Sequence, residues 1–228
     1  MLNPKIIIPL RPKNTAEAAR MIAAAEKKGD LTEVWLDGIK DLNETKIKKI
    51  IKAAKRPLIV NLKNKQEMGE SRLGDKKRVQ LLSLAAKAGV DFVDISLDLP
   101  VALVRELKKS CEKTKLIVSF HDFKATPRIE KLRKLSEKAF KAGADVVKLV
   151  GNANSWEDCT PIFQISWELA KAGKSFLTMG MGEFGEPTRV ITPLIGGLGM
   201  FAPLDKKTAT APGQLTVAEL REWWRAFD

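Results

Sequence analysis

The sequence predicts a single (β/α)8 barrel, an α/β chain of the TIM-barrel class spanning residues 1–228 as one domain, and three observations carry that expectation. First, several segments share one plan: a helix closing on Lys or Ala and then Gly, a short polar turn, and a β-branched run. Lys28-Gly29 precedes Glu33-Val34-Trp35-Leu36, Ala88-Gly89 precedes Phe92-Val93-Asp94-Ile95, Ala142-Gly143 precedes Val146-Val147-Lys148, and Ala172-Gly173 precedes Ser175-Phe176-Leu177. In each, Gly is expected to be the left-handed residue that ends the helix. Second, the spacing of these glycines implies a unit of roughly thirty residues, and eight such units nearly fill the chain. Third, Leu10-Arg11-Pro12-Lys13-Asn14 contains no glycine. An open doubly wound sheet, the alternative, should carry a glycine-rich phosphate turn there.

Taken in order, the apolar β-type runs place strands near residues 5–10, 32–36, 57–62, 91–96, 115–120, 144–150, 174–179 and 198–202, with a helix after each. Two of the helical stretches show the pattern plainly. Lys46-Ile47-Lys48-Lys49-Ile50-Ile51-Lys52 and Lys131-Leu132-Arg133-Lys134-Leu135-Ser136-Glu137-Lys138 alternate basic residues with apolar ones at helical spacing. Pro187 and Pro193 interrupt the seventh helix, and the eighth strand, around Met200-Phe201, is short.

With 228 residues, 44% of them hydrophobic, the chain can bury one substantial core. No stretch approaches the length of a membrane span, and Met1-Leu2-Asn3-Pro4-Lys5 runs into a strand without the regions of a signal peptide, so a cytoplasmic protein is expected. Cys111 and Cys159 are isolated, with no partners at metal-ligand spacing, which fits a reducing compartment and argues against a zinc site. The net charge of +12 raises the question of nucleic acid. Its placement on solvated helix faces, with no basic-aromatic interleaving, argues instead for attraction of a small anionic substrate.

The only histidine, His121, lies in Ile117-Val118-Ser119-Phe120-His121-Asp122-Phe123, where an apolar run gives way to polar residues. Lys148 falls inside Ala144-Asp145-Val146-Val147-Lys148-Leu149-Val150. A lysine in such a strand either snorkels from its end or serves as a desolvated amine nucleophile. The two residues end adjacent strands, five and six, and in a barrel the reactive groups gather at the C-terminal ends of strands. Glu33 and Asp37, Lys63 and Glu67, and Asp94 and Ser96 stand at equivalent heights on strands two to four. A strand-end lysine beside a histidine, without a nucleotide or metal motif, suggests imine chemistry on a carbonyl substrate. The iminium acidifies the neighbouring C–H, and an imidazole acts as general base and then general acid. Sequence physics alone leaves several aldolases and dehydratases open.

Over almost its whole length the chain resembles the type I 3-dehydroquinate dehydratases, the Schiff-base enzymes of the shikimate pathway. The resemblance rests on Ser119-Phe120-His121-Asp122-Phe123 with Thr126-Pro127, the strand of Lys148, Met181-Gly182 leading to Gly185 and Thr188-Arg189, and Thr210-Ala211-Pro212-Gly213-Gln214. It implies that Lys148 is the Schiff-base lysine, His121 the general acid/base, and Glu67 the carboxylate that accompanies and orients the histidine. It further implies that Arg189 binds the substrate carboxylate, that Thr210 and Gln214 contact the substrate, and that Met179, Met181 and Phe201 wall the amine, positions that barrel packing alone also fills. A cofactor-free homodimer acting on 3-dehydroquinate follows from the same likeness. The chain departs from the family pattern at four places. Trp35 replaces the arginine of Glu-x-Arg-x-Asp, Lys63 stands where an arginine is common, Met68 occupies a usual glycine, and Ser96 a usual glutamate. Glu33 is left as a candidate for a substrate hydroxyl or for a structural role. Two other readings remain: another class I Schiff-base aldolase or lyase, with Ile195-Gly196-Gly197-Leu198-Gly199 as a phosphate cradle, and a weakened barrel acting as a basic binding protein.

Overall fold

A computed structural model describes residues 4–227; Met1 to Asn3, on which part of the leader reading rests, and Asp228 lie outside the described residues. Strands and helices alternate throughout: β1 (Ile6–Leu10), α1 (Thr15–Ala25), β2 (Leu31–Trp35), α2 (Glu44–Ala53), β3 (Leu58–Asn61), α3 (Asp75–Lys87), β4 (Phe92–Ser96) and α4 (Val101–Lys109). The second half runs β5 (Lys115–Asp122), α5 (Ile129–Ala142), β6 (Val146–Asn152), α6 (Cys159–Lys171), β7 (Ser175–Met181), α7 (Glu186–Leu194), β8 (Met200–Phe201) and α8 (Val217–Arg225). All neighbouring strands are parallel, in the order β8-β1-β2-β3-β4-β5-β6-β7. The Leu198 N–H donates to the Phe176 carbonyl at 2.9 Å, drawing the two ends of the sheet together into a nearly closed barrel.

Burial on both faces explains why the strands read as near-continuous apolar runs. One side of each strand fills the barrel and the other meets the helices, so Ile6, Ile7 and Ile8 are all buried, as are Leu58, Ile59 and Val60. The helices bury a single stripe: Val104 and Leu107 on α4, and Leu132, Ser136 and Ala139 on α5. Each buried Val or Leu among them contributes roughly 1.5–3 kcal/mol on leaving water. Side-chain caps set helix starts, with Asn14 accepting from the Glu17 N–H and Thr216 forming a capping box with Glu219. Pro187 sits in the first turn of α7, where its missing N–H has no partner to lose, and Pro193 in the last, so the seventh helix survives both.

The repeating glycine serves two purposes. Gly143 ends α5 at φ 107°, a left-handed conformation closed to most other residues. Gly29 is a correction to the expected pattern, because it does not adopt a positive φ. A Cβ there would lie 2.7 Å from Ile8 Cδ1, so Gly29 is required by the close approach of β1.

Candidate active site

Strand register sets the heights of the functional groups. Ser119 on β5 lies opposite Lys148 on β6, and His121 opposite Val150, so His121 stands one inward-facing position nearer the C-terminal mouth. Lys148, only 5% exposed, reaches into the barrel axis. There its Nζ lies 3.1 Å from Asp94 Oδ2, 3.4 Å from Glu33 Oε1, and 4.1 Å from the ring centroid of Phe201.

Asp94 is the centre of this network. Its Oδ1 accepts from Lys63 Nζ at 2.9 Å and from Ser119 Oγ at 2.6 Å, while Oδ2 faces Lys148. Burial by itself would push the carboxyl upward. The ammonium groups of Lys63 and Lys148, with the Ser119 hydroxyl, outweigh burial and hold it well below the usual carboxylate range. Lys63 shows the mirror image: burial would lower it, but Asp94, Glu67 and Glu33 raise it above the ordinary lysine range. Lys63 is therefore a fixed cation.

Glu67 belongs to the same network. Its Oε1 lies 3.2 Å from Lys63 Nζ, and its Oε2 pairs with the guanidinium of Arg78, itself a buried residue of α3 that also donates to the Leu62 carbonyl at 2.8 Å. Glu67 and His121 line the same cavity, but no hydrogen bond joins them among the described residues. The imidazole instead stacks on Phe123, with centroids 5.8 Å apart and planes 9° from parallel. Desolvation, then the charges of Lys63 and Lys148, hold His121 well below its usual range against the opposing pull of Asp94, so it is neutral at pH 7.

Arg189, on α7, is 1% exposed and has no carboxylate partner among the described residues. One Nη donates to the Pro212 carbonyl at 3.3 Å, the other lies 3.9 Å from Met179 Sδ, and the buried Nε has no acceptor. Its desolvation lowers it to about 10, with Glu186 opposing, so it stays charged and lacks a counter-ion. Thr210 and Gln214 pair with each other: Gln214 Oε1 accepts from the Thr210 N–H at 2.7 Å, and Gln214 Nε2 donates to Thr210 Oγ1 at 3.2 Å. Gln214 thus shapes its own loop.

All the residues expected from the sequence, Lys148, His121, Glu67, Glu33, Lys63, Arg189, Thr210, Gln214, Met179, Met181 and Phe201, line one cavity at the strand C-termini. Three contributors were not among those assigned a role. Asp94 carried a sequence signal, an acid inside a fully buried strand, the same signal that marked Lys148. Ser119 stood in the segment that carries the resemblance but without a role, and Arg78 carried no signal, since Asp75-Lys76-Lys77-Arg78 reads as a solvated helix start. Met68 lines the mouth with a left-handed backbone, φ 65°. The proposed phosphate cradle fails. Gly196 and Gly197 precede β8, at the opposite end of the barrel, and their N–H groups donate to the carbonyls of Pro193 and Thr192. Among the described residues no group of three His, Cys, Asp or Glu side chains is placed to hold a metal ion.

Comparison with known proteins agrees with this fold. The family described as Type I 3-dehydroquinase matches residues 6–228. The 3-dehydroquinate dehydratase of Methanococcus maripaludis (strain C7) is 34% identical over 219 residues, covering 95% of this chain and 97% of that protein. The protein of the same name from Methanocaldococcus jannaschii is 34% identical over 214 residues, covering 92% and 94%. The crystal structure of 3-dehydroquinate dehydratase from Geobacillus kaustophilus HTA426 superposes with a TM-score of 0.88 at 25% identity, covering 99% of this chain and 91% of that one. The type I enzyme of Clostridium difficile shares the fold, with a TM-score of 0.87 at 22% identity over 100% and 93% of the two chains. Fold, site and relatives together place this chain in the type I 3-dehydroquinase family, the hydro-lyases named 3-dehydroquinate dehydratase.

Proposed function

We propose that the protein dehydrates 3-dehydroquinate to 3-dehydroshikimate through an imine on Lys148, with His121 as the proton shuttle. The observation that carries this reading is a buried amine inside β6, four residues before the strand ends, lying one layer beneath a neutral imidazole in a cavity that also holds an arginine without a counter-ion. Lys148 Nζ, once it has passed on a proton, attacks the C3 ketone, and the ketone oxygen leaves as water. The iminium draws electrons from C2–H, and neutral His121 takes that proton to give an enamine. The enamine electrons expel the C1 hydroxyl, which leaves as water with a proton from His121. A water then hydrolyses the conjugated imine, restoring the ketone oxygen and the amine, so the net loss is one water.

The surrounding charges fit these steps. Arg189 offers the substrate carboxylate a desolvated, planar donor pair. Glu33 and Asp94 face Lys148 and stabilise its cationic forms, and Glu67 supports the imidazolium across the cavity by charge. The same reading carries a cofactor-free homodimer of the cytoplasm; no described helix is long and apolar enough to cross a membrane. Incubation with 3-dehydroquinate and borohydride, followed by peptide mass spectrometry, should leave a reduced adduct on Lys148 in the wild type and none in Lys148→Ala. The reading fails if the wild type shows neither adduct nor a rise in enone absorbance.

A further inference from the structure

We propose that Arg11 is a positioning residue of this site, bracing Glu33, through Trp35, against the loop that carries Thr210; the proposal rests on the imine reading of Lys148. Arg11 immediately follows β1, and its guanidinium carbon lies 3.9 Å from the ring centroid of Trp35 at the end of β2. Trp35 in turn donates its indole N–H to Glu33 Oε2 at 2.7 Å, and Glu33 Oε1 faces Lys148 Nζ. On its other side Arg11 donates from Nη2 to the Thr210 carbonyl at 3.4 Å, across 199 residues of sequence. A continuous line of contacts thus runs from the substrate loop to the nucleophile.

Two features show that the brace has a specific task. A cleft of about 420 Å³, lined by Arg11, Met21, Leu204, Lys207 and Thr208, separates the 203–216 loop from β1 and α1, and Arg11 spans it. Packing alone does not seat the loop there. The Arg11 Nε is also buried without an acceptor among the described residues, and its direct contacts are the indole face and the loop carbonyl, with Asp37 and Glu70 acting on it by charge from beyond ion-pair distance. Only a planar cation can lie against the ring and direct an in-plane N–H to a carbonyl; a lysine ammonium cannot do both.

Steady-state kinetics, borohydride trapping and amide hydrogen exchange on the wild type, Arg11→Ala, Arg11→Lys and Trp35→Phe test this. Arg11→Ala should raise KM about tenfold, the worth of one desolvated cation–π contact, with kcat within about threefold. Exchange of the 203–216 amides should rise by a similar factor, and Arg11→Lys should rescue neither. Trp35→Phe keeps a ring for the guanidinium but deletes the N–H to Glu33, so it should lower kcat more than it raises KM. A merely structural residue would lower the melting temperature and leave KM and loop exchange of the folded protein unchanged. If Arg11→Ala does not fold, Arg11→Lys and Trp35→Phe give the same two readouts. A wild type that traps no substrate overturns the imine reading. A wild type that traps, beside an Arg11 variant with KM and loop exchange within about twofold of it, overturns the role of Arg11 alone.

Discussion

Replacing Asp94 with Asn isolates the charge at the centre of the barrel while keeping its shape. The carboxylate is wholly buried, with ammonium nitrogens at 2.9 and 3.1 Å. At an effective dielectric of about 20, each pair near 3 Å is worth roughly 5 kcal/mol, most of which offsets the cost of drying the ions. Asn leaves Lys63 and Lys148 facing a neutral amide, one end of which is itself a donor. Breaking a buried pair in this way costs about 3–5 kcal/mol, a large part of the 5–15 kcal/mol that holds a typical domain together. Guanidinium unfolding at pH 7 measures that loss directly, and the melting temperature should fall by about 6–20 °C. The pH dependence gives a second reading. The folded carboxyl is depressed, so its contribution is complete above the unfolded value of about 3.9 and fades as pH falls toward the folded one. The gap between wild type and Asp94→Asn should therefore narrow below about pH 4. Adding Lys63→Met to Asp94→Asn should cost less than the sum of the two changes, by about 1–3 kcal/mol. A loss under about 1 kcal/mol at pH 7, or a gap that persists at low pH, would refute the network's role.

Three further outcomes follow from the site. The single imidazole resonance of His121 should begin to titrate only well below pH 6.5, and Lys63→Met should move its midpoint upward; because the folded value is depressed, protonation of the unfolded chain makes this group a source of instability as pH falls below about 6.5. Arg189→Met should raise KM by about a hundredfold or more while leaving the unfolding midpoint unchanged or higher, since it replaces a buried, unpaired cation with an apolar chain. Met68→Gly should raise stability by up to about 1 kcal/mol by relieving a left-handed backbone, and a fall in melting temperature would show that the methionine side chain contributes more than the strain costs.

The fold was legible because a parallel barrel writes itself as evenly spaced apolar runs. All eight strands lie where the β-branched stretches were expected, four of them (β2, β4, β6 and β7) directly after a helix-glycine turn, and the short eighth strand shows the same shortness in space. Lys148 was legible for a related reason, since a charged residue inside a run buried on both faces needs an explanation, and His121 because it stands half-buried where the apolar run of β5 opens into polar residues at the mouth. The Arg78 partner of Glu67 was not, because it sits in a lysine-rich helix start indistinguishable from solvated surface until α3 packs against the Leu62 carbonyl. Arg11 was equally silent, since its meaning depends on a ring from the next strand and a carbonyl from the far end of the chain. Charge pairing across strands depends on barrel stagger, which the local sequence does not encode.

The contacts of Lys148 impose a count of hydrogens. An ammonium carries three donors, and the two carboxylates beside it draw on two of them. An iminium nitrogen bonded to a substrate carbon keeps a single N–H. In the imine proposed for Lys148, Glu33 and Asp94 could not both retain their bond to that nitrogen. Asp94 has Lys63 and Ser119 as standing donors, whereas Glu33 has the Trp35 indole on its other oxygen. Glu33 Oε1 would then be the acceptor released, free to take a hydroxyl of the bound ring, so that forming the proposed imine would also unmask a group that can hold it.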